Sequence, residues 1–519
     1  MLDGFWFAIA IPLLGGLALS FAVERLLQPA PPTLARAPAA LAIHAGLWLI
    51  LFVFELIQFR RPYFASAIVL SFVLFLVLVG NAKFHSLREA FVFQDFEYFI
   101  DALRHPRLYL PFLGIWRALA AIVAFAVAMV AGLTLEPSLT AGMPVAAFFG
   151  GAAALTGIAA ALLVLGSRGN MPLSYRPDED ARRLGLAASL WRYAAEERRR
   201  PLDVAAQSAF SEPLARPPAD LPDLVVVQSE SFADIRRLFA GIRPEVLREF
   251  DALRDVSLLH GSLRVPAWGA NTVRSEFAFL SGIAEEAMGV HRFNPYRVLA
   301  RSGVPTLAGH LRGLGYRTVC VHPYPAGFYA RDRVFPLLGF DEFVDIAAFA
   351  DAERAGPYVG DAALADRVCA MLAGRADAGR QPLFLYVITM ENHGPLHLER
   401  VAPGDVERLY AQPPPPDCED LTIYLRHLAN ADRMIGTLRR CLDGNPRGGW
   451  LCFFGDHVPI MPRVYAALGV PDGSTDYAIW KAGGGPARRL AMNVENLGIT
   501  LLREMGLLGE PAGECAPPG

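Results

Sequence analysis

Five long apolar stretches dominate the pattern of hydrophobic and polar positions in the first third of the chain. None of them contains Asp, Glu, Lys or Arg, and several approach the ~20 residues that a helix needs to cross ~30 Å of hydrocarbon. We therefore predict five membrane-spanning helices and assign residues 1–167 to a transmembrane domain. The predicted spans are Phe5–Val23, Ala39–Phe54, Phe64–Gly80, Ala118–Leu135 and Met143–Gly166.

The pattern becomes polar and irregular after the last span. Residues 178–200 have apolar positions at helical spacing and a basic end, which fits a helix lying along the membrane surface or against the next domain. A solvated linker helix fits the same pattern. Prolines then interrupt regular structure between Ser211 and Asp223. We assign residues 168–222 to an amphipathic connector and linker.

From residue 223 to residue 519, short apolar runs alternate with helical stretches. The runs are hydrophobic on both faces, as strands are when helices cover both sides of a sheet. The alternation predicts an α/β domain with a mainly parallel sheet flanked by helices, in which ligands bind at the carboxyl ends of strands. The predicted strands include residues 223–228, Tyr316–His322, Pro382–Met390 and Trp450–His457.

Composition and charge indicate a membrane protein and argue against a nucleic-acid partner. Hydrophobic residues make up 53% of the chain, and the formal net charge is -3 with no long basic run. Arg60 and Arg61 favour the cytoplasm for the short loop between the second and third spans. Five spans then place the C-terminal domain on the other side. We expect a multi-pass protein of the cytoplasmic (inner) membrane whose C-terminal domain faces the periplasm or the cell exterior.

The cysteines are confined to the C-terminal domain. Their even number fits disulfides formed outside the cytosol, and free buried thiols fit it equally well. The six residues are Cys320, Cys369, Cys418, Cys441, Cys452 and Cys515.

Acidic and imidazole side chains follow three of the predicted strands. Glu230 comes after the first strand, His393 follows a later one, and Asp456 with His457 ends the strand that begins at residue 450. Two carboxylates and a neutral imidazole form a set of oxygen and nitrogen donors that suits Mn²⁺, Mg²⁺ or Zn²⁺. Taken singly, each residue has an ordinary explanation as a cap, turn or loop residue. Their combination at successive strand ends predicts a metal site.

Thr272 is a candidate nucleophile. A loop with Gly269 and Asn271 precedes it, and a helical pattern begins at Thr272 itself. A hydroxyl at a helix N-terminus meets free backbone N–H groups and the positive end of the helix dipole, where an anionic phosphate would also be held. A threonine that only caps the helix would give the same pattern.

Five segments carry a family resemblance: QSESF around Glu230, NTVRSEF around Thr272, FYARDRVFPLLGFDEF from Phe328 to Phe343, ENHGP at residues 391–395 and FGDH at residues 454–457. In order and spacing they resemble the motifs of the lipoteichoic acid synthase type of phosphoglycerol transferase, within the alkaline phosphatase and sulfatase superfamily. A five-span membrane region before an extracytoplasmic catalytic domain is similar too. The resemblance therefore covers nearly the whole chain.

The resemblance implies roles for individual residues. One divalent ion, usually Mn²⁺, with Mg²⁺ or Zn²⁺ as alternatives, would be bound by Glu230, Thr272, Asp456 and His457, and Thr272 would also be the nucleophile. The residues expected at the phosphoglycerol group are His322, Tyr329, Arg331 and His393. Tyr329 stands where the family often has tryptophan, which leaves the preference for the headgroup open.

The implied chemistry is a double displacement on a phosphodiester. Thr272 would attack the phosphorus of phosphatidylglycerol, diacylglycerol would leave, and an acceptor hydroxyl would then take the glycerophosphate from Thr272. A membrane anchor suits a lipid donor because tethering raises the effective concentration of the catalytic domain. The expected acceptor is a periplasmic or cell-surface glycan.

Three alternatives stay open. Phosphoethanolamine transferases, acting on lipid A or on a glycan, share the superfamily, the spans and a threonine nucleophile. A sulfatase is less favoured because the chain has no Cys-x-Pro-x-Arg or Ser-x-Pro-x-Arg motif. A catalytically inactive membrane-anchored sensor or assembly factor would bind no metal and would lose no function in the Thr272→Ala variant.

Overall fold

Nine α-helices lie among the described residues that precede residue 200. The computed structural model describes residues 2–199, 204–211, 221–373 and 381–508, and the chain divides at residue 200 into two compact units. The helices of the first unit are α1 (Leu2–Glu24), α2 (Pro38–Phe59), α3 (Pro62–Leu87), α4 (Tyr98–Arg104), α5 (Pro106–Leu113), α6 (Ile115–Leu135), α7 (Val145–Arg168), α8 (Pro177–Leu184) and α9 (Leu186–Glu197).

Five of these helices are long and apolar enough to cross a membrane. They are α1, α2, α3, α6 and α7, and each overlaps one of the spans predicted from the sequence. Phe5 of α1, Trp48 and Phe52 of α2, and Phe148 of α7 belong to one buried apolar cluster. The first unit is therefore a membrane anchor built on a helical bundle.

The predicted connector contains two helices where the sequence suggested one. Gly185 separates α8 from α9 with a φ of 81°, a left-handed conformation that glycine adopts without steric cost. The Tyr193 hydroxyl of α9 donates a hydrogen bond to Asp180 of α8 at 3.0 Å, which holds the two helices together. Both helices belong to the first unit, and residues 212–220 of the predicted linker lie outside the described residues.

In the part of the second unit that the structure describes, nine strands form one sheet. Its order is β10-β2-β9-β8-β1-β7-β3-β4, and β11 also pairs with β2. The strands β8, β1, β7, β3 and β4 are parallel, whereas β9 runs antiparallel to both of its neighbours. The strands are β1 (Asp223–Ser229), β2 (Leu259–Arg264), β3 (Arg317–Val321), β4 (Glu342–Val344), β5 (Arg354–Ala355), β6 (Tyr358–Val359), β7 (Leu383–Ile388), β8 (Gly449–Gly455), β9 (Thr475–Lys481), β10 (Arg488–Arg489) and β11 (Met492–Asn493).

Helices flank this sheet, and the α/β class predicted from the sequence is confirmed. A separate two-stranded ribbon pairs β5 with β6. The helices of the second unit are α10 (Arg248–Val256), α11 (Thr272–Ser281), α12 (Leu307–Gly313), α13 (Arg331–Val334), α14 (Asp361–Ala373), α15 (Asp405–Leu409), α16 (Glu419–Asp443), α17 (Pro462–Leu468) and α18 (Val494–Glu504).

The central strand β1 is buried along its whole length. Val225 and Val227 belong to the apolar cluster that includes the core face of α16, and Leu224 and Val226 belong to the cluster that includes α11 and α18. Successive side chains of a strand point to opposite faces, so both faces of β1 must be apolar. Burial of each such side chain contributes about 1.5–3 kcal/mol, which explains why the run has no polar alternation.

The register of the ladders brings four strand ends to one edge of the sheet. Ser229 of β1 pairs with Gly455 of β8, and Val227 of β1 pairs with Val387 of β7. Val387 in turn pairs with Val321 of β3. The residues that follow these four parallel strands therefore start from the same edge.

Candidate active site

Three predicted metal ligands converge at this edge. The ligand atoms of Glu230, Asp456 and His457 lie within 4.8 Å of one another, and all three side chains are buried. His457 Nε2 lies 3.5 Å from a Glu230 oxygen and 3.4 Å from Asp456 Oδ2. Residues 226 positions apart in the chain thus meet within reach of one ion, as the sequence predicted.

The hydrogen bonds of His457 engage Nδ1 and leave Nε2 available as a ligand atom. Nδ1 lies 3.2 Å from the carbonyl oxygen of Val458 and 3.2 Å from the Ser231 hydroxyl. Because a carbonyl can only accept, Nδ1 carries the proton and donates it. Nε2 then faces the two carboxylates with its lone pair, an arrangement that needs a proton or a cation between the three groups.

The electrostatics of the two carboxylates fit a divalent ion. Asp456 Oδ2 is buried and has no hydrogen-bond partner among the described residues. Burial, and then the nearby Asp456 carboxylate, raise the pKa of Glu230 to about 8. Two carboxylates in a buried site cannot both stay ionised without a counter-charge, and Mn²⁺, Mg²⁺ or Zn²⁺ would supply that charge. The donor set therefore fits the metal that the sequence implied.

The backbone on either side of this cluster explains how adjacent residues converge. The strand β8 ends at Gly455, so Asp456 and His457 are released from the alternation of a regular strand. A Cβ atom at Gly455 would lie 1.9 Å from the carbonyl oxygen of Phe232, which requires glycine there. Ser231 adopts a φ of 54° and turns its amide towards Asp456 Oδ1 at 2.9 Å.

Helix α11 begins at Thr272, the predicted nucleophile, which is buried. Asn271 occupies the N-cap position, so the alternative in which Thr272 only caps the helix is not what the structure has. One turn further on, the Ser275 hydroxyl donates to the carbonyl oxygen of Asp456 at 2.7 Å. Residues three apart share a helix face, so the face that carries Thr272 packs on the segment that carries Asp456.

A buried network joins α11 to two further predicted residues. Arg331 Nη2 donates to Glu276 Oε2 at 3.0 Å, and Arg331 Nε donates to Glu276 Oε1 at 3.2 Å. Arg331 Nη1 lies 3.3 Å from His322 Nε2. His322 Nδ1 lies 3.1 Å from the carbonyl oxygen of Ile388 and carries the proton, so Nε2 accepts from Arg331. Burial and the Arg331 charge keep the pKa of His322 well below its usual range.

The remaining predicted residues lie close to this network. The Tyr329 ring stands over the Arg331 guanidinium at 5.2 Å, a cation–π contact that covers one side of it. His393 Nδ1 donates to the carbonyl oxygen of Gly394 at 2.7 Å, and burial lowers the pKa of His393 although the Asp456 carboxylate opposes this. His393 is therefore a neutral imidazole at pH 7, in the electrostatic field of both Asp456 and Arg331.

Several buried residues in and around this site escaped the sequence reasoning. Glu276 lies one turn after Thr272 in the NTVRSEF segment, and its position on the same helix face was an available signal. Glu391 of the ENHGP segment is buried and lies 2.9 Å from His427 Nδ1, while its other oxygen accepts from the Asp361 amide at 2.7 Å. Nothing local to His427, in the middle of α16, identifies it as a partner of Glu391.

With the geometry in place, comparison with known proteins identifies the family. The sulfatase family profile matches residues 222–494. The chain belongs to the sulfatase family. This confirms the resemblance to the alkaline phosphatase and sulfatase superfamily that the motifs indicated, and the matched range contains the four strand ends together with α11.

Individual proteins of this family extend the comparison. The chain is 30% identical over 473 residues to the capsular polysaccharide biosynthesis protein RkpI of Rhizobium meliloti (strain 1021), covering 86% of this chain and 81% of that relative. Its fold is similar to that of the integral membrane protein lipooligosaccharide phosphoethanolamine transferase A (EptA) from Neisseria meningitidis, with a TM-score of 0.53 at 15% identity over 95% of this chain and 94% of that chain.

A third sulfatase-family comparison covers less of the chain. Streptococcus pyogenes phosphoglycerol transferase GacH, solved in complex with sn-glycerol-1-phosphate, matches with a TM-score of 0.46 at 19% identity. The match covers 60% of this chain and 80% of that chain. The similarity to EptA extends over both units, and at its level of identity it shows the fold alone.

Proposed function

We propose that this protein is a membrane-anchored, metal-dependent phosphotransferase that moves glycerophosphate from phosphatidylglycerol to a glycan, through a covalent intermediate on Thr272. The single observation that carries the proposal is the convergence of Glu230, Asp456 and His457 beside the first turn of α11. A metal site next to a buried threonine at a helix N-terminus is suited to phosphoryl transfer, because developing negative charge is stabilised from both sides.

Glu230, Asp456 and His457 would hold the ion, with the Thr272 hydroxyl as a further ligand. A divalent cation supplies positive charge that favours the Thr272 alkoxide and screens the phosphate oxygens. In the first step, a bond forms between Thr272 Oγ and phosphorus as the bond between phosphorus and the diacylglycerol oxygen breaks. The departing diacylglycerol oxygen takes up the proton that Thr272 loses, so diacylglycerol leaves as a neutral alcohol.

In the second step, an acceptor hydroxyl attacks phosphorus and Thr272 Oγ leaves. His393 would move the proton, because its Nδ1 donates to the carbonyl oxygen of Gly394 and its Nε2 therefore keeps its lone pair. Arg331 supplies charge to the transferring group, and Glu276 and Tyr329 fix the orientation of its guanidinium. The site returns to its starting protonation when diacylglycerol and the glycan that carries the glycerophosphate have left.

The membrane anchor supports a lipid as donor, and the description of one relative supports a glycan as acceptor. A donor lipid is confined to the bilayer, and five spans in the same chain would tether the catalytic unit to that bilayer. The RkpI relative is described as a capsular polysaccharide biosynthesis protein, which supports a glycan as acceptor. The catalytic unit would face the periplasm or the cell exterior, as the arginines of the loop between α2 and α3 suggest.

Phosphoethanolamine transfer, to lipid A or to a glycan, is the second candidate. It is favoured by the similarity of fold to EptA, which extends over both units. The metal cluster and Thr272 would serve that reaction in the same way, so the two candidates differ in the headgroup that is transferred and, where lipid A is the target, in the acceptor.

The deciding experiment compares donors on the purified full-length protein in liposomes with Mn²⁺. We expect glycerol-labelled phosphatidylglycerol to release diacylglycerol and to leave label on a peptide that contains Thr272. Ethanolamine-labelled phosphatidylethanolamine should leave none, and the opposite result would establish the second candidate. Thr272→Ser keeps a hydroxyl and should retain labelling, whereas Thr272→Ala should lose it. Label from neither lipid would remove the phosphotransferase proposal.

A further inference from the structure

Cys369 and Cys441 are brought together by two packed helices. Cys369 lies on α14 and Cys441 lies near the end of α16, and the two helices pack against each other. Both thiols are half-buried beside the apolar core on the α16 face of the sheet. Both are free thiols, and each lies within hydrogen-bonding reach of the other across the interface between the two helices. The phosphotransfer chemistry uses neither residue.

This pair differs from the other described cysteines. Cys320 and Cys452 lie within the buried strands β3 and β8, and Cys418 is buried at the start of α16. Burial raises the pKa of both strand thiols, as expected for cysteines that serve as small apolar side chains. A contact between two half-exposed thiols has no such packing explanation.

We propose that Cys369 and Cys441 form a structural disulfide that fastens α14 to α16 in the mature protein. The inference rests on the proposed function, in which the catalytic unit faces the periplasm or the cell exterior. Disulfides persist in such oxidising compartments and not in the cytosol. The bond would close a loop of the chain between two helices of the core, which restricts the unfolded ensemble and stabilises the folded state.

The bond would form by thiol–disulfide exchange with an oxidising protein disulfide. The hydrogen bond between the two thiols lowers the pKa of Cys441 and raises the pKa of Cys369. The Cys441 thiolate attacks the oxidant's disulfide and forms a mixed disulfide while one oxidant thiolate leaves. Cys369 then attacks Cys441 sulfur, the second oxidant thiolate leaves, and the two protons of the pair pass to the reduced dithiol.

The position of the bond relates it to the active site. Asp361, at the start of α14, and His427, in the middle of α16, both contact Glu391, which lies two residues before His393. Cys369 and Cys441 lie about two and four turns further along these helices, away from Glu391. A disulfide there would hold the far ends of the two helices that position the Glu391 segment.

The test is a cysteine map of the full-length protein taken from cells quenched in trichloroacetic acid and alkylated without reductant. We expect one linked peptide that joins Cys369 to Cys441 and is released by reduction, while Cys320, Cys418 and Cys452 are alkylated before and after. Cys369→Ser should abolish the linked peptide and make Cys441 alkylatable. Alkylation of both residues in the unreduced wild type would overturn the proposal.

The thermal midpoint with and without reductant tests whether the disulfide stabilises the folded protein. Reductant should lower the thermal midpoint of the wild-type protein and leave the Cys369→Ser/Cys441→Ser variant unchanged. An equal shift in both proteins would contradict the fastening role. Transferase activity is measured on the same preparation. A linked cysteine pair in a protein that transfers no headgroup would support the disulfide and remove the proposed function. Free thiols in an active protein would remove the disulfide and support the proposed function.

Discussion

Arg331 and Glu276 form an ion pair that is closed to solvent on both sides, with 3.0 Å between Nη2 and Oε2. A second hydrogen bond at 3.2 Å makes the contact bidentate. Burial alone would lower the pKa of Arg331, but the Glu276 carboxylate outweighs burial and raises it. The pair therefore fixes a permanent positive charge beside His322, at the edge where the four parallel strands end.

Removal of the Glu276 charge should affect both stability and activity. In Glu276→Gln the Arg331 cation stays buried without its partner, which costs about 3–5 kcal/mol of unfolding free energy. The freed guanidinium should also lose its orientation, so kcat/KM should fall at least about tenfold. Chemical denaturation and headgroup transfer from labelled lipid measure the two effects.

The control for this prediction removes both charges at once. Glu276→Gln/Arg331→Met should recover most of the lost stability, because no unpaired charge remains in the interior. It should not recover activity, because Arg331 supplies the charge to the phosphate. A Glu276→Gln protein as stable and as active as the wild type would show that the ion pair has neither role.

Ser231 should control metal affinity without being a ligand. Its hydroxyl donates to the Glu230 carboxylate at 2.9 Å and lies 3.2 Å from His457 Nδ1, so it orients two ligands at once. Loss of such an outer partner typically costs about 10–100-fold in affinity. We expect that loss for Mn²⁺ in Ser231→Ala, measured by equilibrium titration. Ser257→Ala, which removes a hydroxyl bonded to the Arg254 carbonyl, is the matched control and should bind as the wild type does.

Much of this site could be predicted from the sequence because the apolar strands are continuous runs. The run before Glu230 is buried on both faces, so it had to be a central strand, and the acidic residue after it had to lie at the sheet edge. The same reasoning located Asp456 and His457 after β8. Thr272 was predicted as the nucleophile because a helical pattern begins there, and this role stays a prediction.

The other residues of the site could not be predicted, because they meet through contacts between distant parts of the chain. Glu276 meets Arg331 across 55 positions of sequence, and His427 meets Glu391 across 36. Strand β2 escaped prediction because it lies near the edge of the sheet, where its residues are only partly buried and include His260 and Ser262. Weak burial leaves a weak alternation of apolar and polar residues, so β2 was not visible in the sequence.

Bound metal should stabilise the wild-type protein and not the Asp456→Asn variant. At Mn²⁺ concentrations of about 100 times Kd, the wild type should gain about 3 kcal/mol, seen as a higher thermal midpoint. Without metal, Asp456→Asn should be at least as stable as the wild type, because it removes repulsion between two buried carboxylates. An equal rise of both midpoints with Mn²⁺ would place the ion elsewhere.

His427 should make stability depend on pH. Burial alone would lower the pKa of His427, but hydrogen bonds with Glu391 and Glu399 outweigh burial and raise it to about 9. Because the folded pKa lies above the unfolded value of about 6.5, this stabilisation is fully present below pH ~6.5 and is lost as the pH rises through 9.

Denaturation of the full-length protein in detergent at several pH values measures this effect. Between pH ~6.5 and ~9.5 the stability advantage of the wild type over His427→Gln should shrink by up to about 3 kcal/mol. A difference between the two proteins that stays constant over this range would show that His427 is neutral in the folded state.

The central claim is that Glu230, Asp456 and His457 share one divalent ion beside Thr272. The most direct measurement is anomalous diffraction at the manganese edge from crystals of the protein grown with Mn²⁺. We predict one anomalous peak at about 2.0–2.3 Å from a ligand atom of each of the three residues. A manganese peak that lies elsewhere, or no peak in crystals that diffract well and contain the ion in solution, would contradict the account.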